Sequence, residues 1–334
     1  MFRLRVPAWL TLWLLAPVLG ELFSGSSPPK EFFKPGAFLM LGVLYGGGAL
    51  LAREYTLLWR KDWRSLLLLG MAYAIAEEGL MCKSFFNPHW QDVGKLGEYG
   101  RWAGVNWIWT YYLTLYHTFY SIGASVVLAE ILHHRQREQL WLKPWARRLF
   151  LVLFLLDIWV GFRFFPYHPS LLSIGIAGGL IALLTWLAKS LPARSEGVAV
   201  GGRASDGWKF GVWGFLVVVL FFVWMFIGPH TPIPAGWYLL LSVGATVLIG
   251  WLLWRMSGGG RLWTDRHRAA LLFGILLGFA LLDVHLALNP KASNEDMSGM
   301  GVVAVVAVAL GVITMVVARR ASEEAQAKCS TPCP

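Results

Sequence analysis

The sequence predicts an all-α fold, a polytopic transmembrane helical bundle of about ten spans with both termini in the cytoplasm. Three observations carry this. Of 334 residues 57% are hydrophobic and only 14% charged, whereas a soluble domain holds about a quarter charged residues. The apolar residues gather into runs near the ~20 residues that a helix needs to cross a bilayer. Between the runs, loops rich in Lys and Arg alternate with poor ones, as the positive-inside rule requires.

The runs cover 6–22, 36–53, 64–83, 105–131, 148–165, 170–190, 209–228, 233–254, 269–288 and 298–318. Arg3 and Arg5 precede the first run. Arg53, Arg60, Lys61 and Arg64 flank the second loop, and Arg135, Arg137, Lys143, Arg147 and Arg148 the fourth. Lys189, Arg194, Arg203 and Lys209 mark the sixth loop, Arg255, Arg261, Arg266 and Arg268 the eighth, and Arg319 and Arg320 begin the tail. The loops between are poorer in cations and balance them with Glu31, Asp92, Glu98, Glu295 and Asp296. This pattern points to a multi-pass protein of the cell inner (plasma) membrane. The start of the chain also has the look of a signal peptide, although Pro17 and the continuing Glu21-Leu22-Phe23 argue against cleavage.

The net charge of +10 is therefore a topology signal rather than a nucleic-acid footprint. Basic residues are not interleaved with exposed aromatics in a polar segment, as such a footprint needs. The expected partner is the lipid bilayer, and the 19 Trp fit its interfacial belts. No glycine-rich phosphate loop of the P-loop kind is present, so direct ATP use is not expected. The Gly/Ser/Ala/Arg-rich stretch 191–208 reads as a cytoplasmic linker. It divides a six-helix membrane part (1–190) from a four-helix part (209–320), which a polar tail (321–334) follows. Cys329 and Cys333 in that tail are too few for a structural zinc, and Cys82 reads as an apolar filler.

Ionisable groups inside apolar spans are costly and are commonly paired or functional. Glu21 ends the first run, and Glu77 and Glu78 lie late in the third. Asp157 and Arg163 lie in the fifth, and Asp283 and His285 late in the ninth. With odd runs directed outward, these groups collect toward the outer half of the membrane. Lys83, Lys95 and Arg101 read most simply as solvated or headgroup-facing. In a regular helix Glu77 and Glu78 diverge by about 100°, so one is expected to face a site while the other braces it. In the fourth run Asn106, Thr110, Thr114, His117, Ser121 and Ser125 recur at helical spacing and make one polar stripe, beside a row of Tyr112, Tyr116 and Tyr120. Ser and Thr at such spacing also serve plain helix packing. The loop 84–104, with Phe85-Phe86-Asn87-Pro88 and four glycines, suggests a structured segment, either a lid or an interfacial one.

Two resemblances arise at these residues. The stretch from Glu77-Glu78-Gly79-Leu80-Met81-Cys82-Lys83 through Asn87-Pro88, continuing to Gly104-Val105-Asn106-Trp107, resembles a set of uncharacterised bacterial multi-span membrane proteins. The layout is also similar to the membrane-embedded glutamate/histidine proteases of the CPBP and PrsW kind, which pair Glu-Glu in one helix with histidines in later helices. Where the CPBP pattern has Arg, this chain has Cys82, then Lys83; Leu113-x-x-x-His117 and His285-x-x-x-Asn289 stand at the later motifs. That resemblance implies a catalytic set of Glu77, Glu78, His117, His285 and Asn289 that activates water within the membrane.

Three functions fit the residues. In an intramembrane peptidase-like hydrolase, a buried Glu would be the base and His117, with His285, would orient water or hold the oxyanion. Glu, His and Asp are all zinc ligands, so a metal version is open, although His-Glu-x-x-His is absent. A proton-coupled or small-solute transporter would line its path with the same carboxylates. A scaffold would use them as interhelical glue. The partner would be a membrane-embedded peptide or a small solute, and the sequence points to no particular cofactor.

Overall fold

The computed structural model describes residues 6–194, 205–260, 262–289 and 295–330, with side chains of the last helix as far as residue 324. Arg3, Arg5, Arg203, Arg261, Cys333 and the middle of the 191–208 linker lie outside the described residues, as does the Cys329 side chain. Each of the ten apolar runs is helical: α1 (Ala8–Leu22), α2 (Pro35–Leu58), α3 (63–81), α4 (Trp107–Leu132), α5 (Pro144–Phe164), α6 (Leu171–Ser190), α7 (Gly207–Ile227), α8 (Ala235–Met256), α9 (Asp265–Leu288) and α10 (Met300–Ser330). Among the described residues, α2, α4 and α6–α10 are long and apolar enough to cross a membrane. α1 is shorter. α3 and α5 carry more charge: Glu77 and Glu78 in one, Arg147, Arg148, Asp157 and Arg163 in the other. The last helix runs to Ser330, so the first part of the expected polar tail continues it.

Burial sorts the helices into layers. α2 and α4 are the most enclosed, with 61% and 67% of their apolar windows buried, against 11% for α6 and α8. Trp159, Leu171, Trp186, Trp237 and Val247 are exposed on α5, α6 and α8. Apolar surface of this extent is rare on a soluble monomer. It suits lipid contact, and the chain is a membrane protein on this ground as well as by composition.

Helices meet where glycines remove side chains. A Cβ on Gly274 of α9 would lie 1.9 Å from the carbonyl oxygen of Gly211 in α7, and one on Gly214 2.2 Å from that of Leu271. The two backbones therefore touch directly, in the small-residue packing typical of membrane helices. In α1, Pro17 cannot donate to the Trp13 carbonyl, and Gly46 of α2 packs against that oxygen. The Gly46-Gly47-Gly48 run thus permits a close crossing, and α2 continues through it unbroken.

At the end of the bundle that carries the basic loops, α2 is pinned by a buried ion network. Arg53, expected in a loop, is 1% exposed within α2. It donates to Glu130 of α4 and to Glu54 at 3.0 Å each, and to the carbonyl of Arg137 at 2.7 Å. Its guanidinium lies 3.3 Å from the centre of the Trp141 ring. Glu54 accepts from the backbone N–H groups of Trp141 and Leu142. Buried charges are tolerable only when matched this fully.

At the opposite end, loop 84–104 is packed. Phe85, Phe86, Val93 and Leu96 form a second core with Ile108, Trp109, Tyr112, Met225 and Tyr238, which seats the loop on α4, α7 and α8. Its last part is a hairpin of β1 (Arg101–Trp102) and β2 (Val105–Asn106). Ala103 and Gly104 both take positive φ between the strands, the backbone of a two-residue type I′ turn.

Because a backbone oxygen cannot swing aside as a side chain can, Gly274→Ala is expected to lower the melting temperature in detergent, reflecting about 1–3 kcal/mol of overpacking. Gly178→Ala, which meets nothing within 4 Å, is expected to leave melting unchanged or slightly raised.

Candidate functional site

The first four helices change their winding at one level. π-helical segments occupy Val18–Leu22 in α1, Gly42–Gly46 in α2, Ile75–Met81 in α3 and His117–Ala124 in α4. Each carries a polar member of one cluster: Glu21, Tyr45, Glu77 with Glu78, and His117. A π turn closes i→i+5 rather than i→i+4, and such bulges recur at functional sites. The wider turn places successive residues at a smaller angle than an α-helix does. For this reason Glu77 and Glu78 both reach His117, one at each ring nitrogen, nearer to one another than the about 100° of a regular helix would set them.

The two ring nitrogens of His117 each face a carboxylate. Nε2 lies 3.0 Å from Oε1 of Glu78, and Nδ1 lies 3.2 Å from Oε2 of Glu77 and 3.2 Å from Oγ of Ser121. His117 is 2% exposed, Glu77 2% and Glu78 7%. The other Glu78 oxygen accepts from Ser84, whose hydroxyl in turn accepts from Trp109 Nε1 at 2.9 Å. Among the described residues no hydrogen bond of good geometry reaches Oε2 of Glu77 in spite of its buried place, and the buried Tyr73 hydroxyl faces the same carboxylate. The Tyr73 and Tyr45 rings lie 6.0 and 5.9 Å from the imidazole. Tyr45 donates to Glu21, which also accepts from Ser27 at 2.7 Å. Ligand atoms of Glu77, Glu78 and His117 all fall within 4.8 Å of one another, a spacing that could hold a metal ion.

Backbone contacts hold these elements in place. Gly20 and Gly48 leave room for the rings of Tyr45 and Tyr73, which would stand 2.4 Å from a Cβ at either position. Tyr116 donates to the carbonyls of Leu19 and Gly20, at 2.9 and 3.1 Å, satisfying acceptors in the π segment of α1. Asn106 donates to the carbonyls of Ser84 and Asn87 and accepts from Arg101, so the start of α4 fixes the segment that follows α3. Lys83 was expected near solvent or headgroups. It is instead fully buried, with φ of 61°, and donates to the carbonyls of Phe162 and Phe165 at 2.6 Å each. It caps the end of α5, where a cation favours the helix dipole. Arg101 is half-buried and donates to the Phe86 carbonyl at 2.9 Å, whereas Lys95 is exposed.

The other polar groups of the spans lie apart from this cluster. His285 and Asn289 are exposed and hydrogen-bond to each other. Among the described residues no hydrogen bond or ion pair joins them to Glu77, Glu78 or His117. Asp283, on α9, is fully buried, and among the described residues neither of its carboxylate oxygens has a hydrogen-bond partner. Tyr45, Tyr73, Ser84 and Trp109 belong to the site without having been singled out for it from the sequence. Aromatics and serines are ordinary in membrane helices, and only their place around His117 marks them.

Fold and site together define a polytopic helical membrane protein with a buried acid–imidazole cluster in its N-terminal helices. The model of an uncharacterized membrane protein family matches residues 10–195, and the chain belongs to that family. The matched segment contains every member of the cluster and ends ahead of His285 and Asn289. No curated protein and no solved structure matches the chain, and the likeness to glutamate/histidine proteases rests on the short motifs alone.

Ser84→Ala removes the donor to a buried carboxylate oxygen, which costs about 1–3 kcal/mol, so its melting temperature in detergent should fall clearly below that of the wild type. His285→Ala should melt with the wild type.

Proposed function

We propose that this chain is an intramembrane hydrolase of the peptidase kind, with Glu77, Glu78 and His117 as its acid–base centre. The observation that carries the reading is the imidazole held between two carboxylates at 3.0 and 3.2 Å. Such a trio can take a proton from water at one carboxylate and pass it across the ring to the other. Glu77, whose Oε2 receives no hydrogen bond of good geometry among the described residues, is the base in this reading. Glu78, held by Ser84, orients the ring. Positioned proton transfer of this sort contributes about 10²–10⁴-fold. The Tyr73 hydroxyl, beside Glu77 and the ring, is the candidate donor to a developing oxyanion. The substrate class is a membrane-embedded peptide. His285 and Asn289 are left out of the chemistry because, among the described residues, their hydrogen bonds join them to each other and not to the centre.

A proton-coupled carrier is the second reading. It is favoured by the continuation of the polar line from Glu77 to Tyr45 and Glu21 in α1, which gives a protonatable path several groups long. In either reading we place the chain in the inner membrane with ten spans and both ends in the cytoplasm.

Cleavage of quenched-fluorescence membrane peptides by the purified protein tests the first reading. Glu77→Gln and His117→Ala should each lose about 10²-fold or more, while His285→Ala retains full activity. Equal residual activity in the wild type and in both variants would sink it. Proton flux in proteoliposomes that Glu77→Gln abolishes would favour the carrier instead. A fluorescent protein fused to the C-terminus should light up in cells, and a periplasm-dependent reporter at the same place should stay silent.

A further inference from the structure

Few cations serve the carboxylates at the centre. Among the described residues, the ion pairs of Glu77 and Glu78 are with His117 alone. Lys83, next along the chain, spends its ammonium on the carbonyls of α5. Glu21, nearby across Tyr45, is held by hydroxyls and, among the described residues, pairs with no cation. Three carboxyl groups therefore share one imidazole inside the bundle, where an uncompensated charge is severely penalised.

The arrangement of acceptors sharpens the point. Oε2 of Glu77 is buried, lies 3.2 Å from Nδ1 and, among the described residues, accepts no hydrogen bond of good geometry. The buried Tyr73 hydroxyl stands beside the ring and faces Glu77, with no other hydrogen-bond partner among the described residues. Nε2 faces Glu78 and Nδ1 faces Glu77, so one ion can take only one of these nitrogens; ligand atoms of the three residues already lie within 4.8 Å of one another and would draw in to the roughly 3 Å that bonds of about 2.0–2.2 Å set. With the ion on Nε2 beside Glu78, Nδ1 keeps Ser121, the kind of outer contact that fixes the tautomer of a metal-bound histidine.

We propose that Glu77, Glu78 and His117 bind a divalent first-row transition-metal ion of the zinc class, each through one atom. Two carboxylate oxygens and one imidazole nitrogen suit zinc, manganese or ferrous iron better than calcium, which takes six to eight oxygens. The ion neutralises the paired carboxylates, and three protein ligands leave a coordination position free. The proposal concerns binding and stands whether or not the chain hydrolyses anything.

The test uses the full-length protein in detergent, stripped with a chelator and dialysed against zinc. Bound zinc is counted by elemental mass spectrometry, and melting is followed with and without the metal. The wild type should hold a single ion per chain. At a hundredfold excess over Kd its melting temperature should rise by the equivalent of about 2.7 kcal/mol. Glu77→Gln, Glu78→Gln and His117→Ala should each lose the ion and the shift. Asp157→Asn, altering a different membrane carboxylate, should keep both. The proposal is overturned if the stripped wild type neither takes up zinc nor shifts, if zinc stays bound in the triple variant, or if Asp157→Asn abolishes uptake as fully as the three ligand variants. Zinc uptake without peptide cleavage would leave this site standing and remove the hydrolase reading; cleavage by a protein that takes up no zinc would do the reverse.

Discussion

Two consecutive glutamates stand inside a helix bundle and meet a single imidazole. Much of the N-terminal half is arranged around that contact. Carboxylates in a low-dielectric interior must be matched by donors or opposite charge, and the donors come from every neighbouring element. Ser84, positioned by Trp109 and by the Asn106 contacts to its own loop, serves Glu78. Tyr45 and Ser27 serve Glu21. The π segments of α1 to α4 are the backbone side of the same arrangement. A wider turn brings more side chains toward the shared axis and leaves carbonyls that others must satisfy, as Tyr116 does for Leu19 and Gly20.

Cations are distributed to complement this. At the basic end, Arg53 is enclosed with Glu54, Glu130 and the Trp141 ring. At the other end Lys83 closes the last carbonyls of α5. Both are fixed structural charges at the two limits of the bundle. The middle is left to titratable groups, which can exchange a proton or a metal ion where a guanidinium would be permanently charged.

The helices were legible in the sequence because membrane spans announce themselves by length and apolarity. Glu77, Glu78 and His117 were legible because charge and imidazole stand out against an apolar background. The missing parts were hidden for physical reasons. Tyr45 and Tyr73 resemble any aromatic of a membrane helix, and their role depends on facing glycines of other helices, which no local pattern records. Regular helical spacing cannot foretell a π turn, so the approach of both glutamates to one imidazole was not legible. Arg53 and Lys83 were assigned to loops and surfaces by the rule that charge lies outside, yet both are buried and fully occupied. His285 and Asn289 matched a four-residue spacing on a helix that does not bring them to the centre.

α4 is also the element through which the remote helices bear on the centre. Near its start, Tyr111 and Tyr112 bond to Ser242 and Thr246 of α8. Further along, His117 stands among the carboxylates. The helix therefore acts as a stiff rod with one grip in each half of the molecule. Loss of α8 would thus free one of the two grips on the helix that carries His117.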